Sequence, residues 1–201
     1  MNQDVLVKDM IRTMSIPTVK YNQPIAIIFV GAPASGKTTF AKKLLSQLPF
    51  AYFSSDQVES YLTPHVDFFD DHELILNFSF ELIKQLVREK VSVIFDFSID
   101  NLADRKKLKE AIESLGGILM IVYFESEDET IFRRIQSSNV HIVEGSKKGF
   151  VLDKDYYQFK KSKIQSPLGE GAFVVKEDDD IALEKFVSLI HSKIPPKQAQ
   201  T

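Results

Sequence analysis

The stretch "GAPASGKTTF", Gly31 to Phe40, follows directly on the unbroken apolar run "IAIIFV", Ile25 to Val30. An apolar run without alternation is the pattern of a parallel strand covered on both faces. Behind it, "KTTFAKKLLSQL" has helical spacing, with Phe40, Leu44, Leu45 and Leu48 on one side and Pro49 closing it. The glycines and the lysine therefore stand at a turn from strand to helix. Gly31, Ala32, Pro33, Ala34, Ser35, Gly36, Lys37 and Thr38, with Thr39 behind them, match the phosphate-loop pattern of two glycines, a lysine and a hydroxyl. Glycine lets the backbone curl so that successive N–H groups point inward, and the helix that follows adds its positive end. Lys37 offers a point charge to the β- and γ-phosphates of a nucleotide, and Thr38 offers an oxygen to Mg²⁺. An accidental glycine-rich turn would lack the buried strand before it and the amphipathic helix after it.

Working outward, strand and helix patterns alternate. "FAYFSS" (Phe50 to Ser55), "VSVIFDF" (Val91 to Phe97), "ILMIVYF" (Ile118 to Phe124) and "GAFVV" read as strands. The helical stretches between and after them are "HELILNFSFELIKQLVREK", "NLADRKKLKEAIESLGG", "SEDETIFRRIQSSN", "DKDYYQFKKSKI" and "DDDIALEKFVSLIHSKI". Asn101 opens one of them, and Gly116 with Gly117 closes it. Phe78 and Phe80 read as core. The alternation predicts an α/β fold of three layers, α/β/α, on a five-stranded, mainly parallel sheet. The domain is read as 25–194. Residues 1–24 precede it as a short amphipathic helix, contacting through Val5, Ile11 and Met14, and a loop. Residues 195–201 are read as a flexible tail. The segment from about 139 to 168 breaks the rhythm and is too long for an ordinary connection, so it is read as a lid.

Bulk properties narrow the class. The chain has 201 residues, 44% of them hydrophobic, and a formal charge of −3, so nothing global points to nucleic acid or an anionic membrane. It has no cysteine, which excludes disulfides and thiolate metal sites. The first residues, "MNQDVLVKDMIRTM", mix acids with apolar residues, and no run has the length of a membrane span. The expected location is cytoplasmic, with no membrane partner. His65, His72, His141 and His191 have no metal-ligand spacing, and His72 beside Asp67, Asp70 and Asp71 reads as surface.

Three further positions carry chemistry. Asp96 ends an apolar strand, where it can hold Mg²⁺ or simply cap the next loop. Asp56 follows another strand in "FSSDQVES", where it is either a helix N-cap or a carboxylate that takes a proton from an attacking hydroxyl. Arg133 and Arg134 lie on the helix before the lid, and one of them, Arg134 by preference, can reach phosphate oxygens. The lid is locally basic: Lys147, Lys148, Lys154, Lys160, Lys161 and Lys163 outnumber Glu144, Asp153 and Asp155. Such a run suits either a solvated face or a cover over a triphosphate.

In order, phosphate loop, Asp56, Asp96, the Arg133–Arg134 helix and lid resemble the P-loop kinases of the AAA_33 type, the group of polynucleotide kinase, chloramphenicol phosphotransferase and zeta toxin. The stretches "VIFDFSIDNLADRKKLKEAIESLGG", "VYFESEDETIFRRI" and "IQSPLGEGAFVV" look like that family's segments as well. The resemblance implies a sheet ordered 2-3-1-4-5 and an ATP-dependent kinase that phosphorylates a hydroxyl. It also implies Asp56 as general base, Thr38 and Asp96 on Mg²⁺, and Arg134 over the phosphates with Lys37. Two positions depart from the polynucleotide-kinase pattern: Glu59 stands where an arginine commonly follows the base aspartate, and Ser138 where a second lid arginine is usual. The acid at Glu59 argues against a polynucleotide acceptor and for a small-molecule or nucleotide-like one. The loss at Ser138 leaves lid charge to Lys147, Lys148 or the Lys160–Lys161 pair. A 5′-hydroxyl polynucleotide kinase and a slow ATP-hydrolysing regulatory protein stand as the alternatives.

Overall fold

A computed structural model describes residues 3–64, 72–143, 151–176 and 180–194. Five strands are present: β1 (Ile25–Val30), β2 (Ala51–Ser54), β3 (Val93–Ser98), β4 (Ile118–Glu125) and β5 (Phe173–Lys176). All pair in parallel, in the order β2-β3-β1-β4-β5. Eight described helices surround them: α1 (Gln3–Thr13), α2 (Lys37–Leu45), α3 (Ser55–Leu62), α4 (His72–Arg88), α5 (Leu102–Ser114), α6 (Asp128–Val143), α7 (Lys154–Lys163) and α8 (Asp180–Lys193). A 3₁₀ turn, Leu168–Glu170, precedes β5.

The unbroken apolar run of β1 has the reason its pattern suggests. Ala26, Ile28 and Val30 face one layer, packing with side chains of α1, α3, α4 and α5. Ile25, Ile27 and Phe29 face the other, against α2 and α8. All six residues of β1 are buried, and each large one contributes about 1.5–3 kcal/mol relative to exposure. The result is the three-layer α/β/α architecture with the expected strand order. Phe78 and Phe80 lie in the core.

Several local details differ from the reading of the pattern. On α1 the buried residues are Leu6, Val7 and Met10, whereas Val5 faces solvent and Ile11 and Met14 are only partly covered. The helix docks on α4, and that contact rotates its inward face away from Val5. Helix α2 stops at Leu45, which is exposed, so Leu48 reaches the core from beyond the helix end. Helix α3 is an additional element. Its start is a capping box in which Ser54 Oγ accepts from Gln57 N–H and Gln57 Oε1 accepts from Ser54 N–H.

The segment from 139 to 168 is partly helical: α6 continues to Val143 and α7 lies within it. The Asn139 side chain accepts from the Leu152 N–H at 2.9 Å and donates to its carbonyl at 2.6 Å, which brings the two ends together. Asp153 caps α7 through the Tyr156 N–H at 2.7 Å. Glu144, Lys147, Lys148, His65, Asp67, Asp70, Asp71 and the tail 195–201 lie outside the described residues, as do the side chains of His72 and His141.

Candidate active site

The phosphate loop leaves β1 at Gly31. A Cβ there would lie 2.9 Å from Phe124 Cβ and 3.0 Å from Ser35 Oγ, so no larger residue fits. At the other end Gly36 caps α2 in the left-handed region, at φ 102°. Ala34 also has positive φ, at 61°, a conformation that costs an L-residue on the order of 1 kcal/mol and that the surrounding loop imposes. The loop holds a curl that its sequence does not favour by itself. Such storage of strain is common where backbone groups must converge on a ligand.

Lys37 folds over the loop and donates to the carbonyls of Gly31 and Ala32, each at 2.7 Å. Burial of its ammonium lowers the pKa to about 8, against the opposing attraction of Asp100 and Asp96. Thr38 Oγ1 donates to Asp96 Oδ1 at 3.2 Å, and the Tyr52 hydroxyl donates to Asp96 Oδ2 at 2.8 Å. Asp96 is itself buried. Burial, then the adjacent Asp96 and Asp56 carboxylates, push the Tyr52 phenol well above its ordinary pKa, so it remains a neutral donor.

The position of Asp96 follows from a break in the ladder. Ile28 pairs with Phe95, but the next β1 residue, Phe29, pairs with Ser98. Asp96 and Phe97 are thus left unmatched on the β1 side just where the phosphate loop departs, while Asp96 stays paired with Ser54 of β2. Ser98 Oγ accepts from the Gly31 N–H at 3.0 Å and also bonds Asp100, so β3 braces the loop's first residue.

Asp56 sits in the first turn of α3, exposed, and Ser54 rather than Asp56 is the N-cap. That removes the capping role from Asp56. A cavity of about 530 Å³ brings together Gly31, Pro33, Lys37, Thr38, Asp56 and Asp96, and adds Tyr52, Ser98, Asp100, Tyr156 and Lys160. A neighbouring cavity of about 440 Å³ is lined by Ala34, Ser35, Gly36, Lys37, Thr38 and Thr39 together with Arg134, Ser138 and Leu152. Arg134 therefore stands over the start of α2, whereas Arg133 is exposed and donates to Thr130 of its own helix at 3.3 Å. The two arginines diverge because adjacent helical residues point about 100° apart.

Of the lysines on α7, Lys160 lines the cavity that holds Asp56 and Asp96, and Lys161 is paired with Asp128. Tyr157, wholly buried against Ala32, Ile131 and Ile135, donates to the same Asp128 at 2.6 Å. One face of α7 is thus fixed on α6 and the phosphate loop while the Tyr156–Lys160 face turns to the cavity. Tyr52, Ser98, Asp100 and Tyr156 are the site residues that reading the sequence missed. Ser98 and Asp100 sit in "FDFSID", next to Asp96, but only the ladder break reveals their direction.

The AAA_33 family model, an AAA domain, matches residues 27–141.

The chain belongs to the AAA_33 family.

The AAA_33 match runs from β1 into α6, so α1 and α7 lie beyond it. An adenylate kinase from Thermosipho africanus (strain TCF52B) is 27% identical in an alignment 127 residues long that covers 57% of this chain and 59% of that protein. The match thus spans about three fifths of that curated relative's length. Among solved structures, a sugar kinase from Janibacter sp. HTCC2649 superposes with a TM-score of 0.63 at 16% identity, over 87% of this chain and 96% of that one. Kti12 from Chaetomium thermophilum, in complex with ADP-AlF3, gives 0.66 at 16% identity over 85% and 99%. A gluconokinase from Sinorhizobium meliloti 1021 gives 0.56 at 14% identity over 87% and 99%. These likenesses establish the fold, a P-loop kinase fold. No described helix is long and apolar enough to cross a membrane.

Proposed function

We propose that this chain is an ATP-dependent kinase that transfers the γ-phosphoryl group to a hydroxyl of a small molecule. The observation that carries the reading is the single cavity in which the phosphate-loop Lys37 and Thr38 meet the carboxylates of Asp96 and Asp56. The kinase names of the adenylate kinase relative and of the superposed structures point the same way.

Thr38 and Asp96 provide the hard oxygen donors that Mg²⁺ prefers, already in contact with one another, and they would hold the ion with the help of phosphate oxygens. Bound there, Mg²⁺ supplies neutralisation of charge on the β- and γ-phosphates. The loop amides and Lys37 orient the triphosphate, and Arg134 reaches it from α6. Asp56 accepts the proton of the acceptor hydroxyl as that oxygen bonds to the γ-phosphorus. The bond from phosphorus to the β–γ bridging oxygen breaks, and its electron pair leaves with ADP. Lys160, on an α7 that acts as the lid, faces the γ end of the cavity and takes the place of the lid arginine absent at Ser138. Glu59, one turn beyond Asp56 on α3, is an acid where the polynucleotide kinases it resembles commonly carry an arginine, which favours a small acceptor.

The test is incubation with γ-labelled ATP and Mg²⁺ across a panel of alcohols, nucleosides and 5′-hydroxyl oligonucleotides. Label should pass to a small acceptor. With Asp56→Asn, transfer should fall by a factor of about 10² or more, in the range of a lost general base, while ATP affinity stays within about twofold. Undiminished transfer in that variant would remove Asp56 from the mechanism. ATP turnover without any labelled acceptor would favour the regulatory alternative.

A further inference from the structure

A third cavity, of about 750 Å³, lies beside β2, one of the two edge strands of the sheet. Its walls are the C-terminal turn of α1 and the loop after it (Thr13, Met14), the stretch leading into β2 (Leu48, Phe50), and Tyr52 and Asp56. Tyr52 and Asp56 also line the catalytic cavity, so the two spaces share a partition. Tyr52 turns its hydroxyl toward Asp96 while its side chain lines both spaces.

The α1 wall is held in place. Leu6, Val7 and Met10 are buried, and the Tyr61 hydroxyl of α3 bonds the Leu6 carbonyl at 3.1 Å and the Asp9 carboxylate at 2.9 Å. Among the described residues no lysine or arginine lines this cavity, and Asp56 is its one charged side chain. Sulfur, aromatic and aliphatic surface makes up much of the wall, with the hydroxyls of Thr13, Ser15 and Ser60 at intervals. A phosphate or sulfate entering here would meet no cation among the described residues and would be repelled by Asp56, at a cost that rises as water is excluded. An uncharged body with apolar surface meets none of that penalty and gains burial.

We propose that the β2-edge cavity is the acceptor subsite, and that it takes an uncharged alcohol with an apolar body whose hydroxyl points past Tyr52 to Asp56. The identity of the occupant as acceptor rests on the kinase reading above. The subsite itself depends on α1, which lies outside the AAA_33 match, so acceptor choice would draw on a segment beyond the matched residues.

The methionine methyl groups provide a direct test. In the full chain, ¹³C-methyl resonances of Met10 and Met14 report on the cavity, while Met120, buried in β4, serves as the internal control. The probes are 2-phenylethanol, cyclohexylmethanol and thymidine, each compared with its phosphate ester. The proposal expects saturable shifts of Met10 and Met14 with at least one neutral probe, no shift of Met120, and at least tenfold weaker response to the matching ester. Ser15→Trp, an exposed substitution that fills the cavity mouth, should abolish the shifts and leave ATP affinity unchanged by calorimetry. Equal or stronger binding of the esters, or no saturable shift with any neutral probe, overturns the subsite. Shifts as expected, in a chain that transfers no label from ATP to the bound alcohol, would instead sink the kinase reading and leave the binding site standing.

Discussion

Lys160 and Lys161 are neighbours in sequence with the same chemistry, and the fold separates their roles. Lys161 is neutralised by Asp128 at the back of α7, and Lys160 faces the cavity that holds Asp56 and Asp96. Lys160→Ala should therefore lower kcat by roughly 10²-fold with ATP affinity little changed, in the range of other lost transition-state donors. Lys161→Ala should leave kcat within about threefold, since an exposed ion pair contributes at most about 1 kcal/mol. Steady-state kinetics of the two variants side by side decides it. Lys37 carries a pH signature as well. Its pKa of about 8 means that the ammonium is lost from the ligand-free protein as pH rises through that value. A bound triphosphate raises the pKa, so ATP affinity should be flat below about pH 7 and weaken by up to about tenfold per pH unit above about 8. For folding the sign is opposite. The unfolded chain binds the extra proton between about 8 and the usual lysine value, so the folded state gains stability across that window. Calorimetric ATP titrations and urea melts at pH 7, 8 and 9, each repeated on Lys37→Arg, separate the two effects.

At the scale of elements, a wholly buried Arg105 joins three segments. Its guanidinium bonds the Ile99 and Asp100 carbonyls at 2.8 Å each, the Gln165 carbonyl at 2.8 Å, and both oxygens of Glu170, with Nη2 to Oε1 at 2.6 Å. The segment leaving α7 is thereby fixed to the β3–α5 loop, whose Asp100 bonds Ser98, the last residue of β3 and the brace on Gly31. The Gln165 side chain adds a bond from the Leu102 N–H at 2.6 Å. Breaking a buried pair leaves one charge without its partner, so Arg105→Ala should destabilise the fold by about 3–5 kcal/mol in urea. Replacing both partners, Arg105→Met with Glu170→Leu, should recover much of that loss in a double-mutant comparison. In the sequence Arg105 is one cation among several in "LADRKKLK", with nothing to distinguish it from Lys106 or Lys107. Only the i+3 and i+7 burial of Leu108 and Ile112 on the same face, seen once α5 is docked, turns it inward.

At the scale of the whole molecule, the two core clusters meet across β1, and the phosphate loop grows out of the strand they share. Filling the loop should therefore stabilise the entire fold. At ATP concentrations near 100 Kd the gain is about 2.7 kcal/mol, a rise in Tm of roughly 5–10 °C for a chain of this size. Differential scanning calorimetry should find that rise in the parent chain and little of it in Lys37→Ala. The sequence by itself determined the alternating strands and helices, the covered central strand, and the glycine-lysine turn at its end. These are local properties, because periodicity and backbone freedom are written in consecutive residues. The two-residue ladder break beside Asp96, the inward turn of Arg105, the split between Lys160 and Lys161, and the α1 wall along β2 belong to the tertiary structure. Each depends on residues far apart in the chain packing at a chosen angle, and packing angle has no signature in the order of neighbouring residues.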